Sequence, residues 1–276
     1  MEREPAVAGQ FYMQDKRKLA SMVERFISHA KVEKESASEA ISYVAPHAGY
    51  AYSGSVAGYT YKALSMNPDL DIIDTFVIVG PNHTGHGKPL SVSAANWKTP
   101  IGIVENDVEL ADELAWQSNI ISIDEDAHEF EHSIEVQLPF LQSVVDRPRC
   151  CFIAMGNQSL PYAQRLATAI AQSAQSLKRN ITVIASCDFN HYEDAQTAEI
   201  KDMAAIKQLE GLEMEKFNSA ILENDDSACG YGPITVAGLF AKKRGGRSGL
   251  LLKYSNSGEA TKDYKSVVAY ASIVFA

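Results

Sequence analysis

An α/β fold, with a central mostly parallel or mixed sheet flanked by helices, is predicted by three observations. Short apolar runs that read as buried strands recur at residues 41–44, 75–79, 151–155 and 180–185. Segments of helical periodicity stand between them, and this alternation favours a substantially parallel sheet covered on both faces. Three of the runs end in polar clusters rich in histidine and glycine, the position at which open α/β sheets gather their ligands.

The elements follow in order. Residues 15–31 carry Leu19, Met22, Val23, Phe26 and Ile27 at the i, i+3, i+4, i+7, i+8 spacing of a helix with one buried face. The strand at 41–44 leads into Ala45-Pro46-His47-Ala48-Gly49-Tyr50, and Ser53-Gly54-Ser55 then offers a cap for a helix over 56–64. The strand at 75–79 leads into Gly80-Pro81-Asn82-His83-Thr84-Gly85. Beyond it an insertion supplies short strands at 90–93 and 102–104 and a helix over 107–117.

Residues 131–141 place Ile134, Leu138 and Leu141 on one helical face, with Pro139 either kinking the helix or lying in its first turn. Cys150 and Cys151 open a strand as small residues. A helix over 162–177 and a strand over 181–185 come next, then Ser186-Cys187-Asp188-Phe189-Asn190-His191-Tyr192. Lys242-Lys243-Arg244 suits a helix end, where cations offset the dipole. Residues 249–254 and 266–275 read as two strands separated by the turn-rich Ser255-Asn256-Ser257-Gly258. Nothing resembles a linker, so one domain over residues 1–276 is expected.

Composition narrows the class. With 46% hydrophobic and 22% charged residues the chain reads as an ordinary globular protein, and its apolar runs fall far short of the roughly 20 residues that span a membrane. The net charge of -10 and pI near 5.2 argue against a nucleic-acid partner, which needs clustered Lys and Arg. The first five residues carry no apolar leader, so a cytoplasmic location is expected. Four cysteines without a C-x-x-C pair predict reduced thiols rather than a zinc knuckle or a disulfide framework.

A transition metal that does chemistry needs a few imidazoles or thiolates held rigidly around an open position. His47 and His83 occupy matching places past their strands, with glycines nearby that let backbone approach closely. One such histidine is commonly just a hydrogen-bonded loop residue, whereas two in matching positions point to a site. Cys229, in Ala228-Cys229-Gly230-Tyr231-Gly232-Pro233, precedes a helix whose first position suits Pro233. It reads as a ligand or reactive thiolate at the positive helix end, or as a small buried residue. Asp188 and His191 could pair a carboxylate with an imidazole acting as acid or base. His132, close to Glu131 and Glu135, is a pocket candidate or a helix-surface residue. His29, His86 and His128 read as surface or loop residues.

Together these words resemble the Memo family, whose bacterial and archaeal relatives are described as AmmeMemoRadiSam-type proteins. The likeness runs from Arg3-Glu4-Pro5-Ala6-Val7-Ala8-Gly9-Gln10-Phe11-Tyr12 through the His47 and His83 clusters. It continues through Glu131-His132-Ser133-Ile134-Glu135-Val136-Gln137-Leu138-Pro139-Phe140-Leu141, the Asp188–His191 cluster and Cys229-Gly230. The resemblance implies a fold like that of class III extradiol non-heme iron dioxygenases, with His47 and His83 matching the metal histidines, Cys229 at the third-ligand position and His191 matching the catalytic histidine. It also implies binding of copper or iron and redox activity, and for the animal member recognition of receptor phosphopeptides.

Two departures qualify that implication. A thiolate in place of a carboxylate softens the site toward copper(I) or zinc, and Cys187 stands where the resemblance expects a serine. The expected ligand is a small molecule or peptide. A rival to a metal enzyme is a non-catalytic module that keeps the same pocket for a phosphorylated or carboxylated peptide or other phospholigand, with the Gly49-Tyr50-Ala51-Tyr52-Ser53-Gly54 loop offering backbone amides and aromatic faces.

Overall fold

A computed structural model describes residues 1–276. In chain order the elements are β1 (Glu2–Arg3), α1 (Lys16–His29), α2 (Lys34–Ser38), β2 (Ser42–Ala45), α3 (Tyr50–Ser65), β3 (Thr75–Pro81), β4 (Leu90–Val92), β5 (Asn96–Lys98) and β6 (Ile103–Asn106). Next come α4 (Val108–Gln117), β7 (Ile121–Ile123), α5 (Leu138–Val144), β8 (Arg149–Met155), α6 (Leu160–Ser176), β9 (Ile181–Ser186) and β10 (Asp188–Glu193). The chain closes with α7 (Ala195–Leu209), α8 (Met214–Glu223), α9 (Tyr231–Lys243), β11 (Gly249–Asn256), α10 (Gly258–Thr261) and β12 (Val267–Phe275). No helix is long and apolar enough to cross a membrane.

The strands form one mixed sheet, ordered β1-β5-β6-β8-β3-β9-β2-β12-β10, with β4 and β7 attached at β8 and β11 at β12. The run β6-β8-β3-β9-β2 is parallel, as the alternation of strands and helices predicts. Antiparallel pairs enter at β12 and in the insertion. Side chains of the central strands alternate between two cores. Val77, Val79, Cys151, Ile153 and Val183 pack with α6, α8 and α9, while Phe76, Ile78, Cys150, Phe152 and Ile184 pack with α1, α3 and α5. Such residues are apolar on both faces because both faces are covered.

Several expectations need correction. The helix after the first cluster begins at Tyr50, capped by Gly49, rather than at Val56. Ser53 does not cap it but donates its hydroxyl to Ala48 O within the first turn. Gly54 and Gly58 serve a different purpose, because a Cβ on Gly54 would lie 2.8 Å from Phe26 Cζ and one on Gly58 2.6 Å from Phe26 O. They let α1 and α3 come together. Residues 131–134 are not helical: a 3-10 turn at Glu135–Gln137 leads into α5, with Pro139 in its first turn. Ile134, Leu138 and Leu141 are nonetheless buried in one core.

Residues 188–193, for which the sequence predicts no element of their own, form strand β10, which pairs with the N-terminal half of β12 beyond the end of β2. The turn-rich 255–258 segment continues β11 to Asn256 before the short α10. Helix α9 starts two residues before Pro233. The two short strands β5 and β7 escaped sequence reading because three residues carry too little pattern. Lys242 and Lys243 do lie in the last turn of α9.

His128 also differs from expectation, being fully buried rather than on the surface. Its Nε2 faces Ser91 O at 3.2 Å, its ring meets Trp97 edge-on, and its carbonyl accepts from Arg3 Nε at 2.7 Å. Burial, reinforced by the Arg3 charge, pushes its pKa down to about 4. An unfolded histidine titrates near 6.5, so the unfolded chain takes up the proton first and folding stability falls as pH drops from about 6.5 to about 4. The full effect of such a shift is about 3 kcal/mol. The expected outcome for His128→Gln, which keeps a donor for Ser91 O but does not titrate, is a shallower loss. Denaturant melts at pH 7 and pH 4 check this, and equal losses in both proteins would contradict it.

Candidate metal centre

The register of the parallel strands sets the site. Ala45 pairs with Ser186 and Val79 with Ala185, so β2, β9 and β3 end side by side, and His47, Asp188 and His83 follow each end by two residues. Convergence at the carboxyl ends of the strands is thus a consequence of register and loop length. The histidines, Cys229 and Asp188 line one cavity of about 750 Å³.

His47 is buried and held from three directions. Its backbone N–H donates to Asp188 Oδ1 at 2.7 Å, and Ala48 N–H reaches the same oxygen at 3.3 Å. Its Nδ1 lies 2.9 Å from Ser186 Oγ. That hydroxyl donates to Ser133 O at 2.6 Å and accepts from Gln137 Nε2 at 2.8 Å. With its proton committed, Ser186 Oγ accepts from Nδ1–H, so Nε2 of the neutral ring offers a lone pair. Nε2 faces Cys229 Sγ at 3.1 Å.

His83 is fixed by Glu131. The buried carboxylate accepts from the backbone N–H groups of His83 (2.5 Å), His132 (2.9 Å) and Ser133 (2.8 Å), and from His83 Nδ1 at 3.0 Å. A carboxylate only accepts, so the proton sits on Nδ1 and Nε2 is the free nitrogen, the carboxylate–histidine arrangement that orients metal ligands. The rings of His83 and His132 stack at 4.7 Å, and Phe11 covers His132 at 4.8 Å.

Cys229 stands before α9, its N–H donating to Asp188 O at 3.0 Å and its carbonyl accepting from Gln158 Nε2 at 2.7 Å. The ligand atoms of His47, His83 and Cys229 lie within 4.8 Å of one another. Two imidazoles and a thiol in that space could hold a metal ion. A second grouping, His83 with Glu131 and His132, satisfies the same distance, but its carboxylate is already saturated by N–H donors.

The electrostatics follow from this crowding. Burial opposes charge on His83, yet the Cys229 sulfur and Glu131 outweigh it and raise its pKa to about 10. Burial likewise opposes charge on His47, and Cys229 and Asp188 again prevail, so its pKa rises. For Cys229, burial works against the thiolate, but the Cys187 thiol and the two histidines bring its pKa well down. Glu131 is held at about 2, its burial overcome by His83 and the Ser133 amide. Burial and the nearby His47 lower His132 to about 4, which leaves it neutral at pH 7. Burial raises Asp188, against the pull of His47.

His191 and Tyr192 line the same cavity, together with Tyr52 and Tyr270. The β10–β12 register slips on either side of His191, and Tyr192 adopts φ 68°. A bulge with a bulky residue in the left-handed region re-aims neighbouring side chains. The His191 N–H donates to Ser227 Oγ at 2.7 Å, while its buried Nδ1 makes no hydrogen bond within the protein.

All six candidates, His47, His83, Cys229, Asp188, His191 and His132, therefore share one cavity. The Gly49–Gly54 segment does not behave as the expected loop. It is the N-cap and first turn of α3, with Tyr50 N–H given to Phe11 O and the amides of Tyr52 and Ser53 to Gly49 O. Tyr50 is buried and donates its hydroxyl to Val136 O, so of the two tyrosines only Tyr52 faces outward. Sequence reasoning missed Ser186, Gln137 and Gln158 as supports, and Phe11 as a wall. Gln137 and Phe11 stand inside the words that carry the resemblance, but nothing in their spacing tells what they touch.

Fold and site together define a class: a mixed-sheet α/β protein with a His–His–Cys pocket at the carboxyl ends of adjacent parallel strands. Residues 3–274 match the family model described as Memo-like protein. A MEMO1 family protein of Methanosarcina mazei is 41% identical over 99% of this chain and 98% of its own length. One from Nitrosopumilus maritimus is 41% identical over the whole of both chains, and one from Methanococcus maripaludis 40% identical over 99% of each. The chain belongs to the Memo family.

Glu131→Gln tests the support of His83. It places an NH₂ group among N–H donors, and loss of such an outer partner typically costs about 10–100-fold in metal affinity. Competition titration with a chromophoric chelator should show a loss in that range, together with a lower melting temperature. Unchanged affinity would mean that the carboxylate serves folding alone.

Proposed function

We propose that the chain binds one copper or iron ion through His47, His83 and Cys229 and uses it for redox chemistry on a small molecule taken into the adjoining cavity. Zinc fits the same donors without redox chemistry. The observation that carries the reading is the approach of the three ligand atoms to within 4.8 Å of one another, with both ring Nδ1 atoms already engaged by Ser186 and Glu131. Two imidazoles and a sulfur form a softer set than the histidine–carboxylate sites of iron oxygenases, which favours copper.

A bound copper or iron supplies electron transfer and Lewis acidity. The chain's own groups supply the rest. Phe11, Tyr52, Tyr192 and Tyr270 offer aromatic surface for a substrate with a flat apolar face. His191 is assigned proton transfer, because its Nδ1 is uncommitted within the protein. His132, neutral at pH 7, accepts a hydrogen bond or a proton beside the ligand histidines. Asp188 fixes the His47 backbone and so acts as a positioning residue.

Anaerobic titration with Cu(I), and separately Fe(II), should show one ion per chain, and a His47→Ala, His83→Ala, Cys229→Ser triple variant should lose it. Wild-type affinity in that variant would overturn the ligand assignment. For His191→Ala the expectation is retained metal with turnover reduced about 10²–10⁴-fold, the usual worth of a positioned acid or base. Oxygen uptake by the loaded protein with catechols, thiols and reductants reads this. Equal rates in wild type and variant would remove His191 from the mechanism. No uptake above free metal, with retained binding of a peptide, would favour a binding module.

A further inference from the structure

Cys187 is the one thiol near the cavity to which the proposed chemistry gives no task. It is fully buried, whereas Cys229 lines the cavity. Both sulfurs lie against the same carbonyl, Asp188 O, Cys187 Sγ at 3.1 Å and Cys229 Sγ at 3.5 Å. Gly230 N–H donates to Cys187 Sγ at 3.1 Å. A Cβ on Gly230 would lie 2.7 Å from Cys187 Cβ and 2.9 Å from its Cα, so backbone next to Cys229 packs directly on Cys187. The remaining cysteines, Cys150 and Cys151, are buried on β8, outside the cavity lining.

We infer that Cys229 and Cys187 form a peroxide-reactive dithiol, in which Cys229 meets a hydroperoxide entering the cavity and Cys187 closes a disulfide behind it. In the first step Cys229 Sγ attacks the distal oxygen of ROOH and the O–O bond breaks. The thiol proton passes to His47 Nε2, 3.1 Å away, and on to the departing RO⁻. The products are ROH and a sulfenic acid at Cys229. In the second step Cys187 Sγ attacks the Cys229 sulfur, the S–O bond breaks, and hydroxide leaves with the Cys187 proton as water. Overall, two thiols and ROOH give one disulfide, ROH and H₂O.

Peroxide and metal would then compete for one sulfur. Oxidation removes the Cys229 ligand, and an occupied metal site shields it. Because the dithiol needs no metal, its test is separable from that of the metal reading.

Chelator-treated full-length protein is exposed to a few equivalents of hydrogen peroxide, and free thiols are counted while a non-reduced digest is mapped by mass spectrometry. The expected result is loss of two thiols per chain and a peptide linking Cys187 to Cys229, both reversed by dithiothreitol. In Cys187→Ser a single thiol should be lost, with Cys229 captured by dimedone as sulfenic acid and no disulfide formed. Circular dichroism melts confirm that this variant folds, and Cys187→Ala replaces it if it does not. Over-oxidised Cys229 beside a free Cys187 in wild type, or two thiols lost from the variant, would overturn the pair. Copper titration of the same variant reads the metal site separately and should match wild type.

Discussion

The parallel register of β3, β9 and β2 is the constraint on which the rest of this structure depends. Because Val79 lies beside Ala185 and Ala45 beside Ser186, the three strands stop at one level and each loop enters the same space. A slip of one residue would invert every strand side chain between the two cores, so the apolar alternation of Val77, Ile78 and Val79 also holds the site in place. Core packing and the ligand geometry are therefore one arrangement. The antiparallel β12 adds the last wall, since its partner changes from β2 to β10 beside the cavity.

Onto this frame the chain fastens its polar groups with buried carboxylates. An isolated buried charge is costly, and Glu131 and Asp188 offset that cost with N–H donors from the very loops that carry His83 and His47. Each carboxylate fixes loop backbone as well as charge. Glu131 and Ser186 also settle which nitrogen of His83 and His47 is free, through contacts invisible from the cavity itself. His132 is the exception: burial and the crowding of His47 and His83 bring its pKa down to about 4, whereas the neighbouring sulfur and carboxylates raise those of His83 and His47.

Much of this was legible in the sequence, and the failures have physical causes. Apolar runs at 75–79, 151–155 and 181–185 are unambiguous because both faces of those strands are covered. The His47 and His83 clusters could be located because they follow such runs directly. Cys229 was found through its helix start. What could not be read was contact between distant residues. Nothing near Glu131 shows that four N–H groups will meet its carboxylate, and nothing near His128 shows that Trp97 and Arg3 will enclose it. The Gly49–Gly54 segment misled because its glycines suggested a loop. Gly49 caps α3, while Gly54 serves helix-to-helix approach, for which Phe26, far away in the chain, is responsible.

The strand character of β10 changes what the cavity can do. A loop carrying His191 would leave the imidazole free to adapt to whatever entered. Here the residue is pinned between two register slips, with Ser227 holding its backbone and Tyr192 in a left-handed conformation beside it. A conformation of that kind costs on the order of 1–3 kcal/mol and persists only where the surroundings over-determine it. The fold thus spends stability to fix the backbone from which His191 reaches the cavity, while its Nδ1 has no partner in the protein. Proton transfer depends on alignment with the reacting atom, and in the proposed mechanism the bulge at His191 serves that alignment.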